Sequence, residues 1–118
     1  MNTNISSVTE LALFLQAIDQ PARLQILLAI GEGETCVCHL EATFGWRQAY
    51  LSQHVMALRK ADILLARREG RYIHYRLVNP ALLGAVRQLA EMQKIVLPRL
   101  APSEECGCSN CRGKRERI

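Results

Sequence analysis

Val8, Leu11, Ala12, Leu15 and Ile18 recur at helical spacing and predict an amphipathic helix over 6–19, capped by Ser6 or Ser7. Pro21 stands where a second helix would open and Gly31 where it would close, with Leu24, Leu27, Leu28 and Ile30 as its apolar stripe. Thr35 suits the N-cap of a short third helix, Cys36–Phe44, which Gly45 would end. A fourth helix is expected from about Gln48 to Lys60, with Leu51, Val55 and Leu58 inward and Ala49, Gln53 and Lys60 outward. The period then switches to two. Ile63–Arg68 and Arg71–Leu77 read as strands joined by Glu69-Gly70, with Ile73, Tyr75 and Leu77 alternating against Tyr72, His74 and Arg76. Asn79-Pro80 opens a fifth helix that carries Leu82, Val86, Leu89, Ile95 and Val96 to about Leu97, before Pro98 and Pro102.

The predicted order is α-α-α-α-β-β-α, a mainly α chain with a β-hairpin wing. A short turn containing Gly45 separates helices three and four, which is the helix-turn-helix arrangement. A winged helix-turn-helix domain over 1–98 is therefore expected, followed by a cysteine-rich, basic tail over 99–118. Helices one and five carry more apolar surface than one small domain needs, so a homodimer is expected.

Composition narrows the function. The 118 residues suffice for one compact domain, and 49% of them are hydrophobic but only 5% aromatic, a mix that favours helices. No apolar run approaches the roughly 18 residues that span a membrane. Met1-Asn2-Thr3-Asn4 lacks the basic start of a signal peptide, so the cytoplasm is the expected compartment. No Ser-His-Asp pattern, phosphate loop or carboxylate pair stands out, and neither an enzyme nor an organic substrate is expected. The formal charge is +4, and Arg59, Lys60, Arg67, Arg68, Arg71 and Arg76 crowd one stretch.

That stretch borders the fourth helix, so double-stranded operator DNA is the expected partner. Gln48, Tyr50, Ser52 and Gln53 lie near the start of the reading helix. Gln can bond adenine bidentately, and Ser a base or a phosphate. Arg47 and Arg59 would meet phosphate, and Arg71 would reach the backbone or minor groove from the wing tip. A solvated polar face is the plainer alternative. Trp46 is expected to pack.

Five cysteines fall in two groups, Cys36 with Cys38 and Cys106 with Cys108 and Cys111. In a reducing compartment such groups read as metal ligands or redox sensors. Thiolates at a helix N-terminus are favoured by the helix dipole. In a regular helix, however, residues two apart point about 200° from each other. Cys36 and Cys38 are thus expected to share an ion only if the first turn distorts. The tail offers chelate spacing in Cys106-Gly-Cys108-Ser-Asn-Cys111 and could extend about 30 Å from Leu97 at roughly 3.3 Å per residue. Soft donors suit cadmium, lead, zinc, copper(I) or arsenite. Paired low-pKa thiols also oxidise, which keeps a thiol-redox or persulfide sensor as the alternative.

Gln48-Ala-Tyr-Leu-Ser-Gln-His54, Ala57-Leu-Arg-Lys-Ala61, Arg68-Glu-Gly-Arg71 and Tyr75-Arg-Leu77 together resemble the ArsR/SmtB family of metal-responsive repressors, as does Ile18-Asp-Gln-Pro-Ala-Arg-Leu-Gln-Ile-Leu28. The resemblance covers roughly 8–97. It implies a DNA-reading set of Arg47, Gln48, Tyr50, Ser52, Gln53, His54, Arg59, Arg68 and Arg71, with His54 either on phosphate or structural. It also implies that Cys36 and Cys38 are the third-helix metal pair. His39 falls where the family often has Asp, and is either a ligand or, the plainer reading, a surface or hydrogen-bonding histidine. Glu41 occupies the place of a third local cysteine in some arsenite-responsive relatives. Helix five has no His, so the family's other common metal site is not expected. Asp62 stands where the family usually has Gly, and Ala49 where it often has Pro.

Overall fold

A computed structural model describes residues 3–99. The elements are α1 (Thr3–Ile18), α2 (Pro21–Ile30), β1 (Glu34–Cys36), α3 (Val37–Phe44), α4 (Gln48–Lys60), β2 (Leu64–Glu69), β3 (Tyr72–Leu77) and α5 (Ala81–Met92). This is a winged helix-turn-helix, with one strand more than the hairpin the alternation predicts. The sheet is antiparallel in the order β1-β3-β2. Residues 34–36 escape prediction because three residues carry no readable period. They are strand only because β3 lies alongside.

The core forms where α2, α3, α4 and the sheet meet. Ile26, Leu27, Leu40, Leu51 and Leu58 are each no more than 1% exposed. Val55, Ile63, Leu64, Tyr75, Leu77 and Leu83 complete it. Leu24 and Leu28, expected in the α2 stripe, are only half-buried, while Ile26 takes the centre.

Several boundaries differ from expectation. The α1 helix starts at Thr3, so Ser6 and Ser7 lie inside it and not at its N-cap. The wing turn is Gly70-Arg71, one residue beyond Glu69-Gly70, because Glu69 pairs with Tyr72. Gly70 has φ +60° and Arg71 does not turn left-handed, the pattern of a type II′ hairpin. The α5 helix ends at Met92 and does not run to Leu97. Lys94 turns left-handed (φ +56°), its N–H bonds Glu91 O, and Ile95 N–H reaches back to Ala90 O at 2.8 Å. That is a Schellman stop made without glycine.

The same stop ends α4. Asp62 N–H bonds Arg59 O and Ile63 N–H bonds Leu58 O, with Asp62 at φ +58°. The position is left-handed, a conformation that glycine adopts most freely. Asp is among the few side chains that tolerate it.

The apolar stripes of α1 and α5 stay largely uncovered. Val8 is 67% exposed, Leu11 59%, Leu89 55% and Met92 66%. Among the described residues, no helix is long and apolar enough to cross a membrane.

Candidate nucleic-acid interface and thiol site

The α4 helix presents its face as its period dictates. Leu51, His54, Val55 and Leu58 point inward, and Gln48, Ala49, Tyr50, Ser52, Gln53 and Arg59 are exposed. The three-residue turn before it is set by Gly45, left-handed at φ +68°, whose N–H closes on Glu41 O at 2.8 Å. Arg47 is exposed at the N-cap of α4. Across the turn runs an aromatic ladder. Phe44 stacks on Trp46 at 4.3 Å, Trp46 meets Tyr50 edge-on at 5.2 Å, and Tyr50 meets His54 at 4.7 Å. Trp46 therefore packs, as expected.

His54 is the member of the reading set that the fold takes inside. It is 4% exposed, and its Nδ1 accepts a hydrogen bond from Arg23 Nε at 3.2 Å. Arg23 also donates to Ala17 O, so one guanidinium ties α1, α2 and α4 together. Burial, and then the Arg23 charge, lower the His54 pKa and keep the imidazole neutral. Of its two expected roles, the structural one fits this geometry. Phosphate contact does not.

The basic stretch is less free than its composition implies. Arg67 bonds Glu34 at 2.6 Å and Glu69 at 3.0 Å, and those hydrogen bonds push its pKa up. Arg59, Lys60, Arg68, Arg71 and Arg76 are exposed. Arg71 lies over the Tyr72 ring, 5.4 Å from its centroid, and donates to the Tyr72 hydroxyl at 3.3 Å.

The thiol corner departs most from expectation. Cys36 is not in the helix. It ends β1 and serves as the N-cap of α3 with extended backbone (φ −81°, ψ 159°), while Thr35 lies buried in the strand. Its Sγ accepts the His39 backbone N–H at 3.2 Å. Cys38 and Tyr72 pack against it. The expected helical distortion is thus unnecessary. The 200° separation holds between two helical residues, and Cys36 is not one.

Cys36 is 1% exposed, and its cross-strand partner His74 is 0% exposed with Nε2 3.7 Å from Glu69 Oε2. Cys38 is half-buried. Cys106, Cys108 and Cys111 lie outside the described residues. Among the described residues no group of three or more His, Cys, Asp or Glu is placed to hold an ion.

The two regions share one open cleft between α3, the start of α4 and β3. Its walls include Cys36, Cys38, Gln48, Ser52, Arg71 and Tyr72. Arg59 sits away from it, beside Met56 and Lys60 at the far end of α4. Three contributors escape sequence reasoning: Tyr72, His74 and Arg23. The strand alternation puts Tyr72 and His74 on the side away from Tyr75, but only the β1–β3 register reveals that Cys36 joins them.

Comparison with known proteins agrees with the fold. Residues 20–64 match the bacterial regulatory protein, arsR family. The arsenic resistance transcriptional regulator ArsR2 of Pseudomonas putida is 33% identical over 85 residues, covering 72% of this chain and 73% of that protein. The chain belongs to the arsR family. The biofilm growth-associated repressor of Agrobacterium fabrum is 44% identical over 71 residues, 60% of this chain and 61% of its own length. The match thus spans about three-fifths of that relative. Among solved structures, a homodimeric winged helix-turn-helix DNA-binding domain from Mycobacterium bovis superposes with a TM-score of 0.66 at 27% identity, over 81% of this chain and 91% of that one.

Proposed function

We propose that this chain is a homodimeric DNA-binding transcriptional repressor that leaves its operator when thiolates capture a soft metal or metalloid ion. The observation that carries the reading is the shared cleft, where Cys36 and Cys38 face the same space as Gln48, Ser52 and Arg71. The DNA-reading set is Arg47, Gln48, Tyr50, Ser52, Gln53, Arg59, Arg68 and Arg71; His54 leaves it because it is buried. The exposed stripes of α1 and α5 supply the dimer surface, and two α4 helices would then meet a palindrome about one helical turn apart.

The donor set fits a soft ion. Cys36 and Cys38 pack together, two soft sulfur donors side by side. Two thiolates are too few for tight capture, so Cys106, Cys108 and Cys111 complete the set. Cadmium, lead, zinc and arsenite all suit these donors, and a relative named for arsenic resistance supports the metalloid. Bound there, the ion would supply only charge and a demand for its own geometry.

The test is titration of the reduced protein, bound to labelled operator, with cadmium and separately with arsenite. Stoichiometric release is expected, lost in Cys36→Ser and weakened in Cys108→Ser. Unchanged operator affinity at saturating ion would overturn the reading. The packing of Cys38 against Cys36 supports a second reading, release by thiol oxidation. Metal-free release by diamide, reversed by dithiothreitol, would favour it.

A further inference from the structure

Tyr72 opens β3 at the wing and touches both regions. Its side chain packs on Cys36. Its hydroxyl accepts from Arg71 Nη2 at 3.3 Å, and its ring lies beneath the Arg71 guanidinium at 5.4 Å. Arg71 is exposed at the turn. A long cation on a turn samples many rotamers, and an aromatic platform with a hydrogen bond confines it.

Cys36 is 1% exposed, so its sulfur has close-packed surroundings. Any atom bound to that sulfur displaces a neighbour. Among partly buried hydrophobic side chains, Cys38 and Tyr72 pack against it, while its cross-strand partner His74 is fully buried and has no open space to move into. Under the proposed function Cys38 is the co-ligand and would move toward the bound atom. Tyr72 is half-buried, at the edge of the cleft, and has open space to move into.

We propose that Tyr72 is the positioning residue that couples the thiol pair to the wing: in the reduced, ion-free protein it holds Arg71 against a DNA phosphate, and loading of Cys36 and Cys38 displaces it and withdraws Arg71. The inference rests on the repressor reading above and names the route by which its thiol site reaches DNA.

The test measures operator Kd across a salt series for the reduced dimer, with and without cadmium chloride. Each phosphate that the protein lets go makes the log–log salt slope shallower by about 0.9. Wild type is expected to let go of about one phosphate per subunit on loading. Tyr72→Leu, which removes platform and hydroxyl, should show the shallower slope already without metal, with Kd weakened about five- to tenfold. Cadmium should then leave its slope unchanged. Tyr72→Phe keeps the ring and should recover most of the wild-type slope and response, which a purely structural defect would not predict. Arg71→Ala, should Tyr72→Leu fold poorly, is expected to reproduce the shallow slope and its indifference to cadmium. Thiolate-to-cadmium absorbance confirms loading in each variant.

A metal-free Tyr72→Leu protein with the wild-type slope overturns the inference. So does a Tyr72→Leu or Arg71→Ala protein whose slope still falls fully on loading. If wild type saturates with cadmium yet keeps its operator, the metal reading fails. The role of Tyr72 in holding Arg71 is then decided by the metal-free slope of Tyr72→Leu alone.

Discussion

Helix α4 and the thiol corner form two walls of one cleft, but they are built in opposite ways. The α4 wall is a single regular helix. Which residues it shows follows from its own period, once Leu51, Val55 and Leu58 are inside. The thiol wall is assembled from a three-residue strand, a helix cap and a tyrosine from β3. Its geometry depends on Glu34–Cys36 pairing with His74–Arg76, some forty residues on in the chain. A wall of the first kind tolerates changes on its outer face and fails only when its inner face is cut. A wall of the second kind has no spare face, so small changes are felt.

The largest effect should come from cutting the inner face of α4. Leu58 is 0% exposed, and Leu58→Ala is expected to cost about 2–5 kcal/mol of unfolding free energy by urea denaturation. A loss under about 1 kcal/mol would mean the helix is not clamped as described. The outer face should behave differently. Gln53→Ala is expected to leave stability within about 0.5 kcal/mol and weaken operator binding roughly tenfold by fluorescence anisotropy, the scale of one bidentate base pairing. Equal affinity for mutant and wild type would remove Gln53 from the reading set.

The same contrast explains how much is legible in the sequence. The bounds of α2 follow from Pro21 and Gly31, and α4 and the wing from a change of period, because those signals are local. What escapes is non-local or chemically unmarked. Strand β1 exists only through its pairing. Cys36 reads as the first helical residue because Thr35 is the better capping type by side-chain chemistry, yet strand pairing claims Thr35 and leaves the cap to the sulfur. Lys94 ends α5 left-handed with no glycine to announce it. Arg67 counts toward a basic patch until Glu34, on another strand, binds it. For the candidate site, periodicity places the exposed residues of α4. The burial of His54 depends on Arg23, and the company of Cys36 depends on sheet register.

The thiol corner should separate its two cysteines on a smaller scale. Under reducing conditions, Cys36→Ala removes the sulfur that caps α3 and is expected to cost about 1 kcal/mol, the usual value of a missing N-cap. Cys38→Ala, at a half-buried helical position, should stay within about 0.5 kcal/mol. Both should lose thiol capture, measured by thiolate-to-cadmium absorbance. Equal thermal shifts for the two would show that the cap contributes nothing and that the corner is no more sensitive than the helix.

The smallest effect lies on the inner face of α4, where His54 sharpens the comparison. Its imidazole accepts from Arg23 and is held neutral by burial and by that cation, so its folded-state pKa is below the ordinary value near 6.5. As pH falls below about 6.5 the unfolded chain takes up a proton that the folded chain still refuses. Stability from this group is therefore complete above that pH and is lost as the pH drops toward the folded-state value. Urea midpoints measured from pH 7.5 down to 5 should fall more steeply for wild type than for His54→Gln, which keeps an acceptor for Arg23 and cannot titrate. Subtracting the two curves removes the other histidines, so the difference reports His54 alone. Parallel curves would mean that Arg23 and His54 are not coupled in solution. The inner face of α4 would then be held by its aliphatic residues alone, and acid would act on the thiol corner or the tail instead.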